Sequence, residues 1–205
     1  MSVDRILLGQ ARNLVKAMDK TVDRALPDQI SEIVKFHSKG AAVAALGSGW
    51  IPGAGGAAAT AISAGFIWSM YGRIGAKIGL PFGQNVLKSL ATGVATNLAR
   101  AAVGAIVVSS AFSLVPGLGS IGSSVIMGAT SYALTLASGY VYLKVMTKLF
   151  AKGVDLSTVS EKDLNDMAAS AAKESDVGEM IEEAKADFHR QKKQGAFSES
   201  PSGDI

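Results

Sequence analysis

The chain has 205 residues, of which 48% are hydrophobic and 18% are charged, and its formal net charge is +3. This small and scattered charge excludes the dense basic face of a nucleic-acid-binding protein, so no nucleic-acid partner is predicted. The lack of cysteine excludes disulfide scaffolds, thiolate metal sites and cysteine nucleophiles.

The first segment, residues 1–39, is predicted to form two amphipathic helices. Apolar residues recur at helical spacing from position 3 to position 22, and basic residues occupy the other faces. Pro27 suits the first turn of the second helix. The segment either packs on its own protein or lies on anionic lipid. It contains no apolar run typical of a signal peptide, so the N-terminus is expected in the cytoplasm.

Residues 40–150 are predicted to form a membrane domain, because residues 40–143 contain four basic and no acidic side chains. The domain divides into two apolar hairpins, 40–72 and 101–143, and a connector, 73–100, at the membrane interface. Each hairpin exceeds the ~20 residues that cross a bilayer once. Each is interrupted by a proline and glycines, which stop a helix and permit a turn. The predicted turn residues are Pro52, Gly53, Gly55, Pro116, Gly117 and Gly119.

The two predicted turns are 64 residues apart, which indicates an internal duplication. The first arm, residues 40–51, is shorter than a full span, so this hairpin either crosses the membrane or dips into one leaflet. Basic side chains flank both hairpins, and the turns have none. By the positive-inside rule we predict a multi-pass protein of the inner membrane with both termini in the cytoplasm.

Small residues recur at every fourth position of the hairpins, where they would let helix backbones approach closely in lipid. The predicted packing residues are Ala57, Ala61, Gly65, Ser69, Ser120, Ser124 and Gly128. They either close each hairpin on itself or join subunits into a homo-oligomer. Aromatic residues near the span ends are predicted to anchor the protein at the membrane interface. These anchors are Trp50, Trp68, Tyr71, Tyr140 and Tyr142.

The last part of the chain has the composition of a soluble protein. Residues 151–193 are predicted to form two helices, the first starting with a capping box of Thr158 and Glu161. The second helix is predicted from Asp176 through Phe188. Serine, glycine and acidic residues predominate in residues 194–205, which predicts a disordered tail.

No motif predicts catalysis, a metal site or a cofactor. The glycines from Gly117 to Gly122 match a dinucleotide-binding fingerprint, but no acidic residue follows about 20 positions later. The two histidines, His37 and His189, are not spaced as metal ligands, and no P-loop is present. We therefore predict an all-α protein that is not an enzyme and binds no cofactor.

Four segments resemble a bacterial domain family of unknown function, an alanine-rich membrane module often attached to Era-like GTPases. They are residues 41–52, Tyr71-Gly72, residues 116–119 and residues 130–134, and the resemblance covers roughly residues 38–150. It implies a membrane module that works with a GTPase and has no catalytic residues of its own. Because this chain has no P-loop, nucleotide chemistry would come from a separate partner.

The leading hypothesis is a non-enzymatic integral membrane adaptor that contacts the lipid bilayer and recruits a cytoplasmic protein, such as a GTPase. The alternative is a self-assembling pore-forming or membrane-remodelling protein built on its small residues. A further rival is a soluble bundle that hides an apolar hairpin until it is triggered.

Overall fold

The computed structural model describes residues 2–18, 24–48, 55–80, 82–101 and 119–197. Within these ranges the chain forms seven α-helices and no β-strand, which confirms the all-α prediction. The helices are α1 (Val3–Ala17), α2 (Leu26–Ser48), α3 (Gly55–Ile78), α4 (Gln84–Ala101), α5 (Gly119–Ala151), α6 (Glu161–Ala171) and α7 (Ser175–Lys193).

The longest helix, α5, occupies the centre of the fold. It has 33 residues and packs against each of the other six helices. Every residue from position 127 to position 143 is buried. A helix that is buried on all sides must be apolar on all sides, whether protein or lipid surrounds it. The lack of acidic side chains in this part of the chain therefore reflects burial by other helices.

Small residues allow α2 to approach α5 closely. A Cβ atom added at Gly139 would lie 2.7 Å from Cγ1 of Val34, and one added at Gly128 would lie 2.8 Å from Cγ of Leu46. These two contacts show that α2 and α5 run in opposite directions. Gly128, one of the predicted packing residues, thus lies opposite Leu46 of α2.

The helices α2 and α3 are antiparallel and correspond to the arms of the first predicted hairpin. Both arms are longer than predicted, because α2 begins at Leu26 and α3 continues to Ile78. Gly55 is the first residue of α3, and Gly119 is the first residue of α5. The other predicted turn residues, Pro52, Gly53, Pro116 and Gly117, lie outside the described residues.

Helix α3 ends just before a glycine that lies in the predicted connector, 73–100. Gly79 has a φ of 74°, and the Leu80 N–H donates to the Gly75 carbonyl at 2.9 Å, the bond that closes a Schellman C-cap. The connector 73–100 therefore consists of the last turns of α3 and most of α4. The chain reverses between them, and the Lys88 ammonium of α4 lies 5.7 Å from the ring centroid of Trp68 of α3.

Three amphipathic helices cover the remaining sides of the bundle. The apolar face of α1 is buried and α1 contacts α5, so α1 packs on its own protein. The apolar faces of α6 and α7 join the same core. The first of these begins after Ser160, whose Oγ accepts from the Asp163 N–H at 3.1 Å, and not at Thr158. Beyond α7, Phe197 is buried with its ring centroid 4.7 Å from that of Phe188.

None of the helices in the described ranges combines the length and the apolar character needed to cross a membrane. This finding contradicts the predicted multi-pass inner-membrane location. The most hydrophobic part of α5 includes Thr130, Ser131, Thr135 and Ser138, all of them buried. Its other apolar side chains are covered by neighbouring helices, so the protein itself supplies the apolar surroundings that the sequence analysis had assigned to lipid.

Candidate functional site

One face of α3 is exposed and uncharged. The opposite face places Ile67, Met70 and Ile74 in the core. Residues 61–72 contain no charged side chain, and their exposed members are Ala61, Gly65, Trp68 and Ser69. Trp68 is 37% exposed and is the one large apolar side chain on the surface of the described residues. A surface helix normally exposes charged residues, as α1 does with Arg5, Arg12 and Lys16.

A groove runs beside this face, between α2 and α3. Its first part has a volume of about 420 Å³, and its second part, of about 490 Å³, shares Arg73 with the first. The first part is lined by Phe36, His37, Ala44, Ala61, Ile62, Gly65, Phe66, Ser69 and Arg73. The second part is lined by Gln29, Glu32, Ile33, Arg73, Ala76 and Lys77. At 1.5 Å per residue, positions 61–77 of α3 give this α2–α3 groove a length of about 24 Å.

The small residues of α3 face outward into this groove. No atom lies within 4 Å of a Cβ built on Gly65, whereas a Cβ on Gly40 of α2 would lie 2.5 Å from the ring of Phe66. Of the predicted stripe, Ala61, Gly65 and Ser69 are all exposed, and Ser69 also bonds to His37 of α2. Of the other predicted packing residues, Ser124 is half-buried. Ala57 and Ser120 lie in α3 and α5, but their side chains are outside what the structure describes.

A buried histidine joins the two sides of the groove. The Nδ1 atom of His37 lies 2.7 Å from the Ile33 carbonyl oxygen, and Nε2 lies 3.2 Å from Oγ of Ser69. A carbonyl oxygen only accepts, so Nδ1 carries the proton of the neutral ring and Nε2 accepts from the Ser69 hydroxyl. The sequence analysis did not identify this pair. The available signal was that His37 shares the apolar face of α2 with Ile33 and Ala41.

The ionisation of His37 is shifted by its surroundings. Burial lowers its pKa below the ordinary value of 6.5, and the positive charge of Arg73 lowers it further, against the opposing effect of the bond to Ile33. The side chain is only 2% exposed. The ring is therefore neutral near pH 7.

Ser69 and His37 have the spacing of a serine nucleophile and its base. However, Ser69 lies inside α3, where the backbone N–H groups bond within the helix, so no oxyanion hole is formed beside it. Across the residues that the structure describes, no His, Asp and Glu cluster is arranged to hold a metal ion. The geometry of the pair suits a hydrogen bond between two helices.

The aromatic residues predicted as interfacial anchors lie in surroundings that differ from one residue to the next. Tyr71 and Tyr142 are buried and stacked, with ring centroids 4.2 Å apart, and burial raises the pKa of both hydroxyls. The Tyr71 hydroxyl donates to the Ser138 carbonyl at 3.1 Å. The Tyr140 hydroxyl donates to Asp176 of α7 at 2.9 Å. Trp50 lies outside the described residues.

A second depression, of about 570 Å³, lies between α1, α5 and α7 and includes Asp176, Glu179 and Glu182. Its Asp176 binds the Lys144 ammonium of α5 at 2.7 Å, and the same ammonium lies 2.5 Å from Glu174. These carboxylates hold α7 against α5. We therefore treat the α2–α3 groove as the candidate functional site.

Comparison of the chain with protein-family models, with curated proteins and with solved structures finds no match. The resemblance to membrane modules attached to Era-like GTPases therefore stays a prediction. The functional assignment depends on the geometry of the α2–α3 groove.

Proposed function

We propose that the chain is a non-enzymatic adaptor whose α2–α3 groove and the adjoining face of α3 bind a helix of a protein partner. The observation that carries this proposal is the exposed face of α3, which has no charge over residues 61–72 and presents Trp68 to solvent. Contiguous exposed apolar surface is typical of interaction sites. An amphipathic helix would bury its apolar side there, as in helix-in-groove recognition.

The dimensions of the groove support a helical occupant. A length of about 24 Å accommodates roughly 16 residues of a partner helix. Ala61 and Gly65 would let the partner axis approach at the short end of the usual range of about 8–10 Å. Trp68 lies on the same exposed face of α3, and tryptophan is enriched among the residues that dominate binding energy.

The charges of the groove suggest the orientation of the partner. Arg73 and Lys77 are exposed at one end. In the described part of the chain, neither forms a salt bridge with a carboxylate. We propose that the partner helix places acidic residues at this end, since charge complementarity selects orientation more than affinity. The family resemblance makes a GTPase one candidate for the partner.

The test uses a photo-crosslinking amino acid at Ser69 of the full chain, compared with the same amino acid at exposed Asp166 of α6. We expect an adduct with one defined protein from Ser69 and none from Asp166. Introducing Gly65→Leu should reduce the adduct roughly tenfold, because a branched side chain would clash with the docked helix. Such overpacking typically costs ~1–3 kcal/mol of binding free energy. Gly178→Leu is the matched control, because Gly178 is also exposed on a helix and has no atom within 4 Å of its Cβ position.

Equal adducts from both crosslinking positions, or equal loss with both leucine variants, would contradict the proposal. An adduct between two copies of the chain would show that the groove binds a second copy of the chain and not a separate partner.

A further inference from the structure

We propose that His37 is an acid-sensitive latch, in which protonation of Nε2 places a buried positive charge between α2 and α3 and separates the two helices along the groove. A docked helix would then be released. This last consequence rests on the proposed adaptor function, whereas the separation of the two helices does not.

The neutral imidazole satisfies both of its neighbours. Its Nδ1–H donates to the Ile33 carbonyl, and its Nε2 accepts from the Ser69 hydroxyl. A proton added to Nε2 makes that nitrogen a donor, so the Ser69 hydroxyl must turn round and accept for the bond to persist. The same proton places a positive charge in a site where the side chain is only 2% exposed. An unpaired buried charge strongly favours any conformation that returns it to water.

Among the described residues, no acidic group acts on the His37 ring to offset this charge. Arg73 of α3 is the charged group that acts on His37, and it is also positive. The turns of α2 on either side present the apolar residues Ile33, Val34 and Ala41. Across the described ranges, no ionisable group of α1 or α5 acts on the ring. Burial and the charge of Arg73 therefore oppose protonation of His37, whereas the bond to the Ile33 carbonyl favours it.

The direction of the pH effect follows from the lowered pKa of His37. In an opened groove the His37 ring is hydrated, and its pKa returns to the ordinary value of 6.5. As the pH falls below that value, the opened form binds more protons than the closed form, and its population rises. The ratio of the opened to the closed form rises by up to about tenfold for each pH unit. It stops rising once the pH is below the lowered pKa of the closed form. The latch is therefore closed at neutral pH.

Hydrogen exchange of the full chain tests the latch without any partner. Exchange would be compared at about pH 7.5 and about pH 5.5, with labelling times scaled for the slower intrinsic exchange. We expect residues 61–77 of α3 to lose protection several-fold at the lower pH, while α7 keeps its protection. His37→Gln should remove this difference. His189→Gln is the matched control and should retain it, because His189 is exposed on α7.

Unchanged protection of α3 in the wild-type chain, or a pH effect that survives in His37→Gln, would overturn the latch. If His37→Gln does not fold, NMR titration of His37 in the wild-type chain decides the question. His37 should then titrate below its ordinary pKa of 6.5, and the α3 amide signals should follow the same curve. Titration of His37 at its ordinary value, or α3 signals that ignore the pH, would overturn the latch.

A crosslinking amino acid at Ala61, which is exposed on the same face of α3 and leaves the Ser69 hydroxyl in place, separates the two proposals. Loss of the Ala61 adduct between about pH 7.5 and 5.5 with His37 present, but not in His37→Gln, would support release of the partner by the latch. Opening of α3 without loss of the adduct would overturn release while leaving the adaptor function intact. A missing adduct at every pH would contradict the adaptor function and leave the exchange result to decide the latch.

Discussion

At the scale of residues, two helical glycines have opposite surroundings. Gly139 of α5 faces Val34, whereas Gly65 of α3 faces open space. We expect Gly139→Ala to lower the free energy of unfolding by about 1–3 kcal/mol, because the new methyl group would overpack the α2–α5 contact. Gly65→Ala should raise it by about 0.5–1 kcal/mol, because alanine loses less backbone entropy in a helix. Urea unfolding of both variants measures the difference. Changes in the free energy of unfolding that have the same sign in both variants would contradict the surroundings assigned to the two glycines.

The stacked tyrosines provide a second matched pair. The Tyr71 hydroxyl bonds to Ser138, whereas the buried Tyr142 hydroxyl has no hydrogen-bond partner among the described residues. Tyr71→Phe should therefore lower the free energy of unfolding by about 1–2 kcal/mol. Tyr142→Phe should be neutral or stabilise by up to about 1 kcal/mol, since it removes a desolvated polar group. Thermal unfolding compares the two, and a larger loss for Tyr142→Phe would refute the assigned bonding.

At the scale of elements, Lys144 connects α5 to α7. Its side chain is 12% exposed and binds Glu174 and Asp176, whereas Lys148 is 49% exposed and binds Glu174 alone. We expect Lys144→Met to lower the free energy of unfolding by about 1–2 kcal/mol, because the partly buried Asp176 loses its ammonium partner and Glu174 keeps only Lys148. Lys148→Met should cost less than about 1 kcal/mol, as is usual for exposed ion pairs. Similar losses of unfolding free energy in both variants would show that the connection between α5 and α7 does not depend specifically on Lys144.

The stabilisation that Lys144 provides through Glu174 and Asp176 should depend on pH. Burial acts to raise the pKa of Asp176, but hydrogen bonds from Lys144 and Tyr140 outweigh it and lower the pKa. The hydrogen bond from Lys144 also lowers the pKa of Glu174. Groups with lowered pKa stabilise the fold above their ordinary values of 3.8 and 4.5 and lose this contribution as the pH falls through the lowered values. The stability difference between wild type and Lys144→Met should therefore shrink below about pH 4, and a constant difference would contradict the assignment.

At the scale of the whole molecule, the fold depends on α5 being covered on all sides. Residues 161–197 supply part of that cover through Leu164, Val177, Met180, Ile181 and Phe188. A chain that ends after Gly153 should lose cooperative thermal unfolding and bind the dye ANS, because this side of α5 would be exposed. Adding residues 154–197 as a separate peptide should restore cooperativity. Cooperative unfolding of the shortened chain alone would show that α6 and α7 form an independent unit.

Much of the helical pattern could be predicted from local sequence. The periodicity of α1 and α7 identifies their buried faces, and Gly79 marks the end of α3, because these signals need only neighbouring residues. Few features of the candidate site could be predicted in this way. Ser69 lies 32 positions from His37, and nothing in the local sequence distinguishes the open surroundings of Gly65 from the close packing of Gly139.

The sequence by itself determined that the chain is helical, that its middle lacks acidic groups, and where several helices end. It did not determine what surrounds the apolar middle, because lipid and a protein interior select the same residues for a helix buried on all sides. Only the tertiary structure decided that the six other helices of the described ranges pack against α5 and that, among the described residues, one face of α3 is exposed. The reason is that burial depends on contacts between distant segments, and the amphipathic helices that cover α5 come from both ends of the chain.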